Sequence, residues 1–332
     1  MKILIIRFSS IGDLVLTTPV IRCLKQQLSA EIHFLVKEQY ISILNANPYI
    51  DQVIGLRNNL RSLTRELKKI DYDYIVDLHK NLRTAYFSLR LRMKTLRVHK
   101  LNVKKWLLTK FKVNWLPRKH LVDRYLQTVK PLGVYNDGRG LDFFIPQKDQ
   151  INVTHLHSSL LPNQYISFVV GAAHATKQLP SSKIISICRK INYPIVLIGG
   201  AKDSENGKKI KNLSGPHVVN LCGVLNLQQS ADVIRQSRKV ITPDTGMMHI
   251  SAALNKEIIS VWGSTVPELG MYPYYPENRV AKNTMVQVSG LSCRPCSKIG
   301  YSKCPRGHFK CMELIREAAI LAQIPPPLTS NP

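Results

Sequence analysis

The sequence predicts an α/β protein of two doubly wound, Rossmann-like domains, and three observations carry that expectation. Short apolar runs of strand length alternate with stretches whose apolar residues recur at helical spacing, the pattern of a parallel sheet with crossover helices. The alternation weakens over residues 133–162, where Gly138, Gly140 and Pro146 sit among polar residues, and then begins again. At 332 residues the chain is long for one core and comfortable for two of roughly 150 residues each. The expected division is residues 1–150 and 151–332.

The first strand is the apolar run Ile3, Leu4, Ile5 and Ile6, which breaks into Ser9, Ser10 and Gly12 before a helix over residues 14–28. The loop leaving the carboxyl end of a parallel strand faces the ligand crevice, so Asp13 stands where chemistry is usually placed. On spacing alone, the N-cap of the following helix is the commoner role for such a residue. Further strands are expected at residues 31–36, 52–56 and 74–78, with a helix near 60–69 between the last two. After the linker the expected strands are 165–170, 194–198, 218–221, 239–241 and 257–261.

Charge is the unusual feature of the composition. Lys and Arg number 47 against 21 acids, a formal +26, which favours polyanionic partners such as nucleic acid, anionic membrane or phosphorylated substrates. Residues 57–119 hold 18 of the bases and four acids, Glu66, Asp71, Asp73 and Asp77. Within them, residues 87–115 mix Lys and Arg with Leu, Val, Phe and two Trp, which suits an amphipathic segment on a negatively charged lipid surface or, equally, a solvated helical face with snorkelling lysines. No apolar run reaches the roughly 18 residues of a membrane span, and the first eight residues are too short for a signal peptide. Seven cysteines, an odd number, suit a reducing compartment, so a cytoplasmic protein is expected. No helix-turn-helix, zinc-finger or RNA-binding signature accompanies the charge, and no specific nucleic-acid partner is expected.

Three loops of the second half also leave the carboxyl ends of expected strands. Gly171-Ala-Ala-His-Ala-Thr-Lys177 offers close approach and a cation for a phosphate. Gly199-Gly-Ala-Lys-Asp203-Ser-Glu205 offers carboxylates for ribose hydroxyls. Asp244-Thr245-Gly246-Met-Met-His249 opens a helix expected over 246–254, whose first amides form an anion site behind the capping residues Asp244 and Thr245. His249 falls one turn into that helix, where a lone histidine is more often structural.

Together, Phe8-Ser9-Ser10-Ile-Gly12-Asp13-Leu14, Lys177-Gln-Leu-Pro180, Gly199-Gly-Ala-Lys-Asp203 and Asp244-Thr245-Gly246-Met-Met-His249 resemble glycosyltransferase family 9, the ADP-heptose:lipopolysaccharide heptosyltransferases, over nearly the whole chain. The resemblance implies a GT-B fold, two Rossmann-like domains facing across a cleft, with the acceptor on the N-terminal domain and ADP-heptose on the C-terminal one. It implies Asp13 as general base on an acceptor-side loop with Ser9, Ser10 and Gly12. It implies Lys177, Asp244, Thr245, Gly246 and His249 as donor-binding residues, with Asp203 or Glu205 at the ribose. Ala172 and Ala173 depart from the hydroxyl side chains that resembling enzymes often place near the phosphates. The expected enzyme is an inverting, metal-independent transferase of inner-core lipopolysaccharide, peripheral to the cytoplasmic face of the inner membrane and needing no cofactor. A relative using another nucleotide sugar on a glycolipid, or a basic nucleic-acid-binding protein, are the alternatives. The acceptor expected is a phosphorylated lipid A core.

Cys293, Cys296, Cys304 and Cys311 lie within nineteen residues, with His308 between the last two. A Cys-x-x-Cys followed by two further cysteines can build a tetrahedral structural zinc site if the thiols converge; buried free thiols or disulfides are the other readings.

Overall fold

The computed structural model describes residues 1–279 and 283–326. The chain forms two compact units. The first comprises Met1–Leu101, Arg118–Phe144 and Tyr274–Arg279; the second comprises Asn102–Pro117, Ile145–Pro273 and the described residues 283–326. The main division thus falls after Phe144, inside the expected linker, while two short segments belong to the unit opposite to their place in sequence.

The first unit holds a five-stranded, all-parallel sheet of β1 (Lys2–Ile6), β2 (Glu31–Lys37), β3 (Gln52–Leu56), β4 (Tyr74–Asp77) and β5 (Lys94–Arg97), in the order β3-β2-β1-β4-β5. Strand β1 is central, and Ile3, Leu4, Ile5 and Ile6 are fully buried because helices cover both faces of a parallel sheet. Sequential strands move outward from β1 on one side, and the chain then returns to place β4 on the other. The switch point therefore lies between the carboxyl ends of β1 and β4, where a crevice opens.

The second unit repeats the plan with β6 (Ile166–Val169), β7 (Ile195–Ile198), β8 (Val218–Asn220), β9 (Lys239–Pro243), β10 (Glu257–Trp262) and β11 (Asn283–Gln287), in the order β11-β10-β9-β6-β7-β8. Its pairings are also all parallel, and its switch point lies between β6 and β9. One continuous core joins Ile166, Phe168, Ile195, Leu197, Ile241, Ile259 and Val261 from the strands with Ile184, Ile187 and Ile210 from the helices over them.

Two strands escape sequence reasoning, β5 and β11, and both are sheet edges. An edge strand has one neighbour and keeps polar residues, so Lys94-Thr-Leu-Arg97 carries no apolar run. Strand β5 also divides the amphipathic segment expected over residues 87–115 into separate helices, Leu82–Leu91 and Asn102–Phe111. The first helix of the chain is likewise two, Ile11–Val15 and Thr18–Leu28, the second with Pro19 in its opening turn.

Candidate active site

Asp13 follows β1 at the switch point of the first unit, but it is not the helix N-cap. Ser10 is the cap, and Asp13 sits three residues in, reaching back so that its Oδ2 accepts from the Ser10 backbone N–H at 3.2 Å and the Ser10 hydroxyl at 2.9 Å. Its Oδ1 pairs with the Arg7 guanidinium at 2.7 Å, the two side chains being 12% and 18% exposed. Arg7 is itself fixed, donating to the carbonyls of Ser9 at 2.8 Å and Leu78 at 2.7 Å. Burial opposes ionisation of Asp13, yet the Arg7 charge and the Ser10 hydrogen bonds outweigh it and hold the carboxyl below the usual carboxylate range. Asp13 is therefore a carboxylate at neutral pH.

The sequence reading missed the groups around it. His79, just after β4, packs on Phe8 with ring centroids 5.1 Å apart, and burial together with the Arg7 and Lys100 charges pushes its imidazole down to about 4. Lys100 is lowered by burial and by Arg7, and Tyr125 is raised by burial. One signal was available for Arg7: it is the first charged residue after a fully buried strand, where a side chain must turn toward the crevice.

In the second unit the switch point collects residues from three loops. Lys177, after β6, places its Nζ 2.7 Å from Oδ2 of Asp244, after β9, and both side chains are largely enclosed. The Thr265 hydroxyl, after β10, donates to the same Oδ2 at 2.7 Å. Thr245 is the N-cap of the helix Gly246–Ala253, so Asp244 stands just outside the cap and orients a cation instead of capping. His249 is enclosed in that helix at 2% exposure. Thr265 is a further residue that sequence reasoning did not find.

Asp203 and Glu205 separate. The Gly200 N–H donates to Asp203 Oδ2 at 2.8 Å, and a Cβ at Gly171 would fall 2.2 Å from that oxygen, so glycine at 171 admits the carboxylate. Glu205 is 85% exposed and pairs with Lys208 at 2.8 Å on the surface of the next helix. Of the two acids, Asp203 is the one built into the loops at the strand ends.

All seven cysteines are free. Among the described residues no three His, Cys, Asp or Glu side chains form a metal-holding group, while burial and the nearby Cys296, Cys304 and Cys293 push the Cys311 thiol up to about 11. The Cys296 thiol is turned to the Cys293 carbonyl at 3.3 Å, and the Cys293 sulfur lies 4.0 Å from His308 Nε2. The segment instead braces the site. The Cys296 N–H donates to the Ser264 carbonyl at 2.9 Å, and Arg294 donates to the carbonyls of Thr265 at 2.9 Å and Val288 at 2.6 Å. Ser264 in turn donates its hydroxyl to Thr176 at 2.9 Å, beside Lys177.

The model of the family described as glycosyltransferase family 9 (heptosyltransferase) matches residues 60–303, well over half of the chain. A lipopolysaccharide heptosyltransferase 1 from Campylobacter coli is 26% identical over 293 residues, 80% of this chain and 84% of that one. Among solved structures, a family 9 glycosyltransferase from Veillonella parvula superposes with a TM-score of 0.76 at 21% identity, covering 97% of this chain and 95% of that one. An Escherichia coli heptosyltransferase solved with ADP gives 0.63 at 21% identity, covering 86% and 92%. The structural likeness is one of fold, and it bears out the expected GT-B class. With the family match extending over both parallel-sheet units, the chain belongs to glycosyltransferase family 9, the heptosyltransferases.

Proposed function

We propose that the protein is an inverting heptosyltransferase that moves a heptose from ADP-heptose to a Kdo or heptose hydroxyl of the lipopolysaccharide inner core, with Asp13 as general base. The observation that carries this reading is an ionised, oriented carboxylate at the switch point of the first unit. Inversion needs one proton acceptor beside the attacking hydroxyl. As the acceptor oxygen bonds to the anomeric carbon, its proton passes to Asp13 and the sugar–phosphate bond breaks toward the diphosphate. Ser10 and Arg7 fix the carboxylate so that no reorganisation accompanies the transfer.

The leaving diphosphate gathers negative charge. Lys177 and the amides that open the helix Gly246–Ala253, behind Thr245, supply the compensation, so the scheme routes no step through a metal or other cofactor. Asp244 holds the ammonium through Oδ2 and keeps Oδ1 for a donor hydroxyl; Asp203 is the acid assigned to the ribose, ahead of Glu205. His249, buried one turn into that helix, is assigned to the donor side with Thr245 and Gly246. Curated relatives bear lipopolysaccharide heptosyltransferase names, and one neighbour was solved with ADP, which favours this donor and acceptor class.

A lipid-anchored acceptor would place the enzyme in the cytoplasm at the inner membrane face. No helix among the described residues is long and apolar enough to cross a membrane, so association there would be peripheral. The test is a screen of nucleotide sugars against truncated core acceptors. ADP release that requires both ADP-heptose and a heptose-deficient acceptor supports the proposal, and transfer from another nucleotide sugar alone replaces it. The structural-zinc reading is decided separately by metal analysis: less than stoichiometric zinc, with folding retained after chelation, removes it.

A further inference from the structure

The helix Asn102–Phe111 and the strand-free stretch after it sit on the second unit by a narrow footing. Leu108 is buried against Val266 and Leu269, with Leu116 packed beside them. The Lys112 ammonium is turned inward to the carbonyls of Thr109 at 2.7 Å and Pro295 at 2.8 Å. The opposite face is turned to solvent and is apolar. Val103, Trp106 and Phe111 are 70%, 47% and 61% exposed, and Trp115 just beyond is 64% exposed. At 3.6 residues per turn Val103, Trp106, Leu107, Lys110 and Phe111 share one side, about 60 to 160° from Leu108. Trp106 and Phe111 meet edge to face with centroids 5.0 Å apart.

Exposed aromatic rings on a helix are costly in water and need an occupant. Charge selects which. Residues 102–117 carry four lysines, at 104, 105, 110 and 112, and no acid. Such a surface repels another copy of a chain of net charge +26 and attracts a negatively charged one. Trp and Phe interleaved with Lys, on a face with no acidic residue, match the boundary between headgroups and acyl chains.

We propose that this face, Val103, Trp106, Phe111 and Trp115 with Lys110 among them and Lys104 at its edge, docks the protein on an anionic phospholipid bilayer. The aromatic rings enter the headgroup boundary while the lysines meet lipid phosphates. The proposal deepens the peripheral association suggested above by naming the surface, and it rests on that reading only for its purpose, since lipid binding needs neither donor nor acceptor.

The experiment is co-sedimentation of the full chain with vesicles of phosphatidylglycerol mixed with phosphatidylcholine, and of phosphatidylcholine alone, alongside heptose transfer to a delipidated core acceptor. The wild type is expected to sediment with the anionic vesicles and to be released by salt, with a blue shift of tryptophan emission. Lys104→Gln with Lys110→Gln should weaken partition roughly 25-fold, at about fivefold per lysine. Trp106→Ser with Phe111→Ser should remove binding while transfer to the delipidated acceptor stays intact, which also reports that the variant is folded. Wild-type binding to neutral vesicles as tight as to anionic ones, unchanged binding by the variants, or concentration-dependent self-association abolished by Trp106→Ser in place of vesicle binding would each overturn the proposal. Loss of transfer with vesicle binding intact would instead count against the assigned enzymatic reaction.

Discussion

Replacing Arg7 with Met removes the cation 2.7 Å from Asp13 and leaves the two Ser10 hydrogen bonds in place. With charge centres about 4 Å apart and an effective dielectric constant near 20, the lost attraction is about 4 kcal/mol, or roughly three pKa units. Relaxation and water entry reduce this, so a rise of about two to three units is expected for the Asp13 carboxyl. The assay is the pH dependence of kcat/KM, whose acid limb reports the free enzyme's base. In the wild type that limb lies below the ordinary carboxylate range; in Arg7→Met it should move up by about two to three units. Arg7 also holds the carbonyls of Ser9 and Leu78, so the loop itself could suffer. Arg7→Lys controls for that: it keeps the charge and should hold the limb within about one unit of the wild type. A limb that stays in place in Arg7→Met, or equal losses at every pH in both variants, would refute the reasoning.

Asp13→Asn should lower turnover by about 10²- to 10⁴-fold while calorimetry finds donor affinity unchanged, and near-normal turnover would exclude it as the base. Lys177→Ala should lower kcat/KM for the donor by roughly 10²-fold, and it leaves Asp244 held by Thr265 alone; unchanged donor kinetics would end its phosphate role. His79 predicts an acid-sensitive stability. Its folded value near 4 lies below the ordinary 6.5, so the unfolded chain binds the extra proton between them and stability falls as pH drops through that window. Urea titrations at pH 7.5 and 4.5 should find wild type losing about 2 kcal/mol more than His79→Gln. Asp13, whose folded value is lowered, contributes stability above about 3.9 that is lost only at more acidic pH, so the two effects separate. Equal acid losses in the two proteins would remove His79 as their source.

By itself the sequence determined the α/β class, the two-part plan and the central strands. A strand buried on both faces must be apolar along its length, and Ile3 to Ile6 or Ile195 to Ile198 can be read for that reason. Gly, Ser and Asp clusters after those strands marked the loops that carry Asp13, Lys177 and Asp244, because tight turns at strand ends restrict residue type. Tertiary structure decided which of the marked residues meet. Asp244 looked like a helix cap, and only the order β10-β9-β6 brings it between Lys177 and Thr265, 67 and 21 residues away. Of the four edge strands β3 and β8 kept apolar runs and could be read, whereas β5 and β11 stayed hidden because one-sided pairing let them keep polar residues. Asp203 and Glu205, two residues apart, look equivalent in sequence, yet one seals a loop against Gly171 and the other stands in solvent. The cysteine spacing suggested a metal, which the chain leaves to be tested; the fold turns the Cys296 thiol to the Cys293 carbonyl and uses the segment to brace Ser264 and Thr265. Spacing along the chain fixes local conformation, but convergence of side chains depends on strand order and crossover, which no local pattern encodes.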